Sequence, residues 1–394
     1  PTRDMAAIYG EIGGKIAIGG MTTTSVLTAF RTLVDHFGER EEDLNLMMTG
    51  GPDGDLGANQ IQSYRGNICL VIDGGSILFD PDGLDRKELT KIAFMRHASP
   101  RANSLAFPRE KLGPGGFMVP LNAKRITLPD GAFVEDGALF HRTFLANPEN
   151  RRFIEAANIR AFIPCGGLKD TIHHGNVKAF LENFRELAFI VEGANVFFED
   201  AARRHIAAHT AIRHVKDTTA NKGGVFSSSI AEVLAAFLLG EETEEILLEQ
   251  IDIRWRMIRD IMDLVAEYSR LETRMLIQIH EQDPEIPLFA LSERTSEQIF
   301  ALQDEIRDRL PEILEDRELV WGALARYIPA VLVEKLGREA IEELLGAGEL
   351  AAYRNAILTK KLASMAFYRF GLDWDAYRQS FRDDPMEALH RAME

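Results

Sequence analysis

A chain of 394 residues, 46% hydrophobic and 27% charged, is long enough for two to three domains and ordinary for a globular protein. Its formal net charge of −16 argues against a nucleic-acid or anionic-membrane surface, since phosphate binding needs clustered Lys and Arg. The two cysteines, Cys69 and Cys165, both lie in apolar strand-like runs, which points away from a disulfide framework and toward a reducing, cytoplasmic compartment.

No apolar run approaches the ~20 residues that span a bilayer, so no membrane partner is expected. The chain opens at Pro1 in mid-pattern, and it is expected to be a piece of something longer. Residues 1–35 read as an N-terminal helical segment packing on the domain that follows. Within it, Met21-Thr22-Thr23-Thr24 precedes Val26, Leu27, Phe30, Leu33 and Val34 at helical spacing.

The apolar run Leu44–Met48 leads into Thr49-Gly50-Gly51-Pro52-Asp53-Gly54-Asp55-Leu56-Gly57, and a small-residue helix start follows. That is the layout of a first strand, a phosphate-approach loop and a helix N-terminus in a dinucleotide-binding unit. Gly54 and Gly57 fit the last two positions of G-x-G-x-x-G, while Pro52 holds the first. A second apolar run, Asn67–Ile72, closes on Asp73, 19 residues after Gly54. A carboxylate there accepts bonds from the adenosine ribose, and Gly74-Gly75-Ser76-Ile77 carries no cation to welcome a 2′-phosphate. The pair of signals favours NAD over NADP.

Residues 97–150 break the alternation and read as a small β insertion, with Pro129-Asp130-Gly131 as a hairpin turn. The alternation resumes with strands at 160–165, 188–191 and 211–217, and helices at 176–187 and 198–208. Thr218–Gly224 reads as a loop opening onto a helix that Gly240 closes. From about 241 the β signal disappears, and Thr295-Ser296-Glu297-Gln298 reads as a capping box among several helices. The expected fold is α/β: a Rossmann-like, doubly wound, mostly parallel sheet over 36–240 with a β-hairpin insertion, then an all-α C-terminal domain over 241–394.

Few residues invite chemistry. His173-His174 lacks further ligands at metal-site spacing, Cys165 has no evident base beside it, and Lys222 reads as a solvated loop charge. No metal is expected. Thr22, Asn195 and Asn221 stand at loop ends where a nicotinamide ring would lie. Ser227 and Ser228 are expected at a helix start, where free N–H groups favour a carboxylate.

Ser76–Asp85, Phe189-Ile190-Val191-Glu192-Gly193-Ala194-Asn195 and Asn221-Lys222-Gly223-Gly224-Val225 resemble the cofactor domain of glutamate dehydrogenases. The glycine turn at 49–57, the hairpin at 126–131, Pro164-Cys165-Gly166-Gly167 and the tail segments Tyr353–Ile357 and Leu362–Ser364 resemble the large NAD-specific branch. The resemblance implies NAD as cofactor and L-glutamate and 2-oxoglutarate as substrates, in a homo-oligomeric enzyme. It implies that Asp53, Gly54, Asp55, Leu56 and Gly57 meet the pyrophosphate and Asp73 the adenosine ribose. Cys165 and Gly166 complete the cofactor contacts, and Thr22, Asn195 and Asn221 meet the nicotinamide riboside. Ser228 is implied to hold a substrate carboxylate, with Val225 against the substrate chain. An arginine that the family often carries shortly before the Thr22 motif is not visible in Gly13–Met21. The catalytic residues are unknown and expected N-terminal to Pro1. The alternatives are a leucine- or phenylalanine-type dehydrogenase, or a dinucleotide-binding regulatory module without turnover.

Overall fold

The computed structural model describes residues 20–95 and 102–394. The patch Gly10–Gly19 and the segment in which the family's arginine was sought lie outside the described residues, apart from Gly20 and Met21. The described residues form two compact units, 20–223 and 224–394.

In the first unit, seven strands form one sheet: β1 (Asn45–Thr49), β2 (Ile68–Ile72), β3 (Ser76–Phe79), β4 (Phe117–Pro120), β7 (Ile159–Pro164), β8 (Phe189–Val191) and β9 (Arg213–Val215). A separate hairpin pairs β5 (Lys124–Thr127) with β6 (Phe133–Asp136). The sheet order is β4-β3-β2-β1-β7-β8-β9. β2, β1, β7, β8 and β9 run parallel, while β3 and then β4 join one edge through antiparallel pairings. β1 lies at the centre because both its faces are apolar: Leu46, Met47 and Met48 are fully buried, as strands covered by helices on both sides must be.

After β1 the chain goes to β2 on one side and later returns to β7 on the other. That reversal opens a crevice at the carboxyl end of β1, the place where such sheets receive ligands. The architecture is Rossmann-like. The expected insertion is divided, because β4 joins the main sheet through β3, with Leu78 opposite Met118, and only β5–β6 stand apart. Leu128 N donates to Ala132 O and Gly131 N to Leu128 O, which closes the turn at Pro129-Asp130-Gly131.

The helical unit begins earlier than the sequence places it, at 224 rather than 241. Segment 224–239 packs with the tail helices: Phe237 meets Tyr353 edge-on at 5.0 Å, and Tyr327 Oη donates to Ser229 Oγ at 2.7 Å. It is helical throughout, with a π-helical turn over Ser229–Leu234. By length and composition alone, the helical stretch Asp217–Leu248 is apolar enough to cross a membrane, which the sequence reading did not anticipate. Ile230, Ala231, Leu234, Ala235, Leu238 and Leu239 in it are buried, the pattern of a core helix.

The longest helices are Ile251–Gln282, Leu291–Asp308 and Leu350–Phe370. The expected capping box at Thr295 is an interior turn of Leu291–Asp308, with Thr295 buried. The short 3-10 turn Leu288–Ala290, after Pro287, starts that helix four residues sooner. Helix Trp374–Asp383 has no counterpart in the sequence reading.

Candidate cofactor-binding site

The turn after β1 is built on close backbone approach. Gly50 has φ +80°, and a Cβ on it would stand 2.6 Å from Gly166 N, so no other residue fits between the ends of β1 and β7. A Cβ on Gly51 would meet Asp73 Oδ2 at 2.0 Å, and one on Gly57 would meet Gly51 O at 2.3 Å. Gly54 differs: only Gly51 O lies within reach of its Cβ position, at 3.7 Å, so its outer side is bare.

These glycines divide the three tasks of a dinucleotide turn, which are the tight turn, close approach of the ligand, and helix packing. The first task, which the sequence pattern gave to Pro52, falls to Gly50 and Gly51. Gly54 is the N-cap of helix Asp55–Ser63 and contributes no side-chain cap. The residues fit a dinucleotide's pyrophosphate. Asp55 is exposed and Asp53 half-buried at this turn. Leu56 lies against Gly193, where a Cβ would meet Leu56 Cδ2 at 2.8 Å and Pro164 O at 2.9 Å.

Asp73 directly follows β2, the place expected for the acid that meets the adenosine ribose. It is buried, and its Oδ1 accepts from Gly75 N at 2.8 Å, Ser76 N at 3.1 Å and the Ser104 hydroxyl. Its Oδ2 accepts from Ser104 N at 2.8 Å. The carboxylate therefore holds the β2–β3 turn to the loop at Ser104. The sequence placed the acid correctly at a strand end, but its donors come partly from a residue 31 positions on.

The nicotinamide-side candidates come together. Asn221 Nδ2 donates to Asn195 Oδ1 at 2.6 Å and to Gly193 O at 3.0 Å. Thr22 lies in the first turn of helix Met21–His36, where its carbonyl accepts from Ser25 Oγ at 2.9 Å. Ser25 Oγ accepts in turn from Gly223 N at 3.1 Å. A Cβ on Gly223 would meet Met21 O at 2.3 Å, so the Thr22 helix start and the Asn221 loop touch backbone to backbone.

The sequence reading missed Asp217, which is buried at the end of β9. Its Oδ2 accepts from Val196 N at 2.7 Å and its Oδ1 from Thr218 N at 2.7 Å. Val196 has φ +50°, a left-handed conformation that a β-branched residue adopts only under constraint. Asp217 is thus a positioning residue for the Asn195 loop. An acid ending a strand just before two threonines was its only sequence signal.

Glu192, fully buried before Gly193, receives Arg203 through two bonds of 2.7 Å and His214 Nε2 at 2.7 Å. Burial raises the Glu192 pKa, but the Arg203 and His214 hydrogen bonds outweigh it and hold the carboxyl below its ordinary range.

Cys165 is no nucleophile: burial pushes its thiol far up, and Sγ lies 3.5 Å from Ile163 O. Gly166 O accepts from Thr49 Oγ1, tying the β7 loop to β1. His173 and His174 use their backbone N–H groups on Asn176 and Glu199. Among the described residues no three metal-ligating side chains converge. Lys222 is exposed.

In the helical unit, Val225 is 80% exposed. The helix starts at Gly223, so Ser227 and Ser228 sit in its second turn, and the expected helix-start environment for a carboxylate is absent. Ser227 Oγ donates to Gly224 O and Ser229 Oγ to Phe226 O. Among the described residues the Ser228 hydroxyl has no such acceptor.

A parallel sheet whose glycine turn lies at the point of strand reversal defines a Rossmann-like nucleotide-binding architecture. The model of the Glutamate/Leucine/Phenylalanine/Valine dehydrogenase family matches residues 13–279, and the chain belongs to that family. It is 34% identical over 364 residues to glutamate dehydrogenase 2 of Dictyostelium discoideum, covering 90% of this chain and 33% of that protein. It is 29% identical over 359 residues to the NAD-specific glutamate dehydrogenase of Neurospora crassa, covering 89% and 32%. With that of Saccharomyces cerevisiae it shares 29% over 366 residues, covering 90% and 32%. The chain spans about a third of the length of these relatives.

Proposed function

We propose that this chain is the cofactor-binding and helical part of an NAD-dependent glutamate dehydrogenase, acting in the oxidative deamination of L-glutamate to 2-oxoglutarate and ammonia. The observation that carries the reading is the bare Gly54 turn at the end of β1 together with the bonded Asn195–Asn221 pair beyond β8. NAD, when bound, supplies the hydride acceptor.

The chain's residues bind and orient. The start of helix Asp55–Ser63 receives the pyrophosphate. Thr22, Asn195 and Asn221 offer hydrogen bonds to the nicotinamide riboside, and Asp217 keeps their loop in place. Ser228 offers its hydroxyl to a substrate carboxylate, with Val225 beside the substrate chain. The choice of NAD over NADP is supported by the names of the relatives and by the absence of a cation in 74–77. The proton-transfer groups lie outside this set. Cytoplasmic location and a homo-oligomeric enzyme are part of the same proposal, supported by two free cysteines and by the family.

Assays of the full-length protein test it, with glutamate, leucine and phenylalanine as substrates and NAD or NADP as acceptor. Glutamate-dependent NADH formation is expected. Turnover of leucine or phenylalanine in its place would assign another amino-acid dehydrogenase. NADH binding without any turnover would favour a regulatory module.

A further inference from the structure

The amino ends of β8 and β9 face away from the cofactor loops, and there the first unit holds a cleft of about 710 Å³. Phe184 and Leu187, both buried, form part of its floor. Its rim carries Lys178, Arg185, His205, His209 and Arg213 against a single carboxylate, Glu182. In a chain with net charge −16 this is a local inversion of sign.

At the carboxyl ends of the same strands basic groups are neutralised: Arg203 pairs with Glu192 and Asp200, and Lys216 lies 3.6 Å from Asp200. Among the described residues no ion pair neutralises the five on the rim. Burial, His209, Lys178 and His174, in that order, hold the His205 pKa below its ordinary value, so the positive field there is uncompensated. The His205 and His209 rings stack at 4.1 Å and present a flat face, while the Arg213 guanidinium lies 3.9 Å over the Phe37 ring.

We propose that this cleft binds a small organic polyanion, an aromatic body carrying phosphate groups, at the opposite end of the strands from the glycine turn. The volume is of the size that holds one such molecule, with apolar floor for the body and five basic groups for the phosphates. A long polyanion such as nucleic acid is disfavoured, because beyond about one Debye length of ~8 Å it meets the protein's overall negative charge.

Binding is linked to protons. An anion raises the pKa of His205, so the complex takes up a proton and tightens as pH falls. The charged groups facing His205 are His209 on its own helix, Lys178 and Glu182 on helix Val177–Asn183 and its flank, His174, Arg185 and Arg213.

The test is calorimetric titration of the full-length protein, saturated with NADH, using ATP and inorganic tripolyphosphate as probes. One ATP per chain is expected, weakened about tenfold or more by Lys178→Gln with Arg185→Gln, both exposed positions that leave the core untouched. Affinity is expected to rise roughly three- to tenfold from pH 7.5 to 6.0, and His205→Asn should flatten that rise. ATP is expected to bind more tightly than tripolyphosphate, and equal affinities would overturn the organic part of the assignment. ATP binding that survives the double variant, or no saturable binding at millimolar ATP, overturns the site. The comparison of variants reads the cleft whether or not NADH fills the glycine turn.

Discussion

Asn221 donates its side-chain amide to Asn195 Oδ1 at 2.6 Å, joining loops 26 residues apart at the carboxyl ends of β8 and β9. A second bond, from Asn221 Nδ2 to Gly193 O at 3.0 Å, fixes the amide's orientation. The Asn195 Nδ2 and Asn221 Oδ1 atoms remain as one donor and one acceptor, the complement of a carboxamide. Asn221→Ala is therefore expected to weaken NADH binding by about 1–2 kcal/mol, roughly five- to thirtyfold. In a double-mutant cycle with Asn195→Ala, the two losses should be coupled by about 0.5 kcal/mol or more. NADH fluorescence titration reads both, and strictly additive losses would show that the pair does not act as a unit.

Asp73→Ala should act on stability before it acts on the cofactor. It leaves Gly75 N, Ser76 N, Ser104 N and the Ser104 hydroxyl without their acceptor in a buried turn. Each orphaned donor costs on the order of 1 kcal/mol or more, so a total loss of about 3 kcal/mol or more is expected in denaturant unfolding. An unchanged midpoint with a large selective loss of NADH affinity would return Asp73 to the ribose.

Lys361 makes stability depend on pH. Its ammonium lies 3.5 Å from the Tyr268 ring centroid, with the Phe226 and Tyr327 rings at 5.5 and 5.6 Å. Burial brings its pKa down to about 7 from 10.5, with Glu267 opposing and Arg326 and Lys360 adding to the fall. Below pH 7 both folded and unfolded states are protonated, and the fold bears the full penalty of the buried charge. Between pH 7 and 10.5 only the unfolded state binds the proton, so stability rises with pH across that window. The rise from this one group is on the order of 3–5 kcal/mol. Lys361→Met should stabilise the protein at pH 6.5 and flatten the rise toward pH 9. Unfolding curves at the two pH values check this, and a variant with the same slope as the parent would refute it.

Ser228→Ala should separate substrate from cofactor. Its neighbours Ser227 and Ser229 use their hydroxyls inside the helix, and Tyr327 adds a bond to Ser229. A hydroxyl that meets a carboxylate is worth roughly 1.5–3 kcal/mol, so kcat/KM for glutamate should fall about ten- to a hundredfold while the NADH Kd holds. The opposite outcome, NADH weakened and glutamate kinetics intact, would move Ser228 to the cofactor side.

Much of the frame was legible because its causes are local. The run Leu46–Met48 is buried on both faces and could only be an interior strand, and the alternation after 159 follows from strand and helix periods written within ten residues. The glycine turn was recognisable, yet the task each glycine performs was not. Gly50 is required by Gly166, and Gly193 by Leu56 and Pro164, contacts that no spacing rule contains. The helix boundary at Ser228 was misplaced for a similar reason: Gly223 enters the helix with its N–H on Ser25, 198 residues earlier.

The sequence by itself determined which segments are strands, where glycines gather at a turn, and which loops carry polar side chains. Those choices depend on residue type and near neighbours. Tertiary structure alone decided the partners: Ser104 for Asp73, Val196 for Asp217, three rings for Lys361, and an unbalanced basic rim at the amino ends of β8 and β9. Hydrogen bonds and charges act across a few ångströms of space rather than along the chain. Whether a given carboxylate meets a ligand or the protein's own N–H groups is settled only when the sheet order brings distant loops side by side.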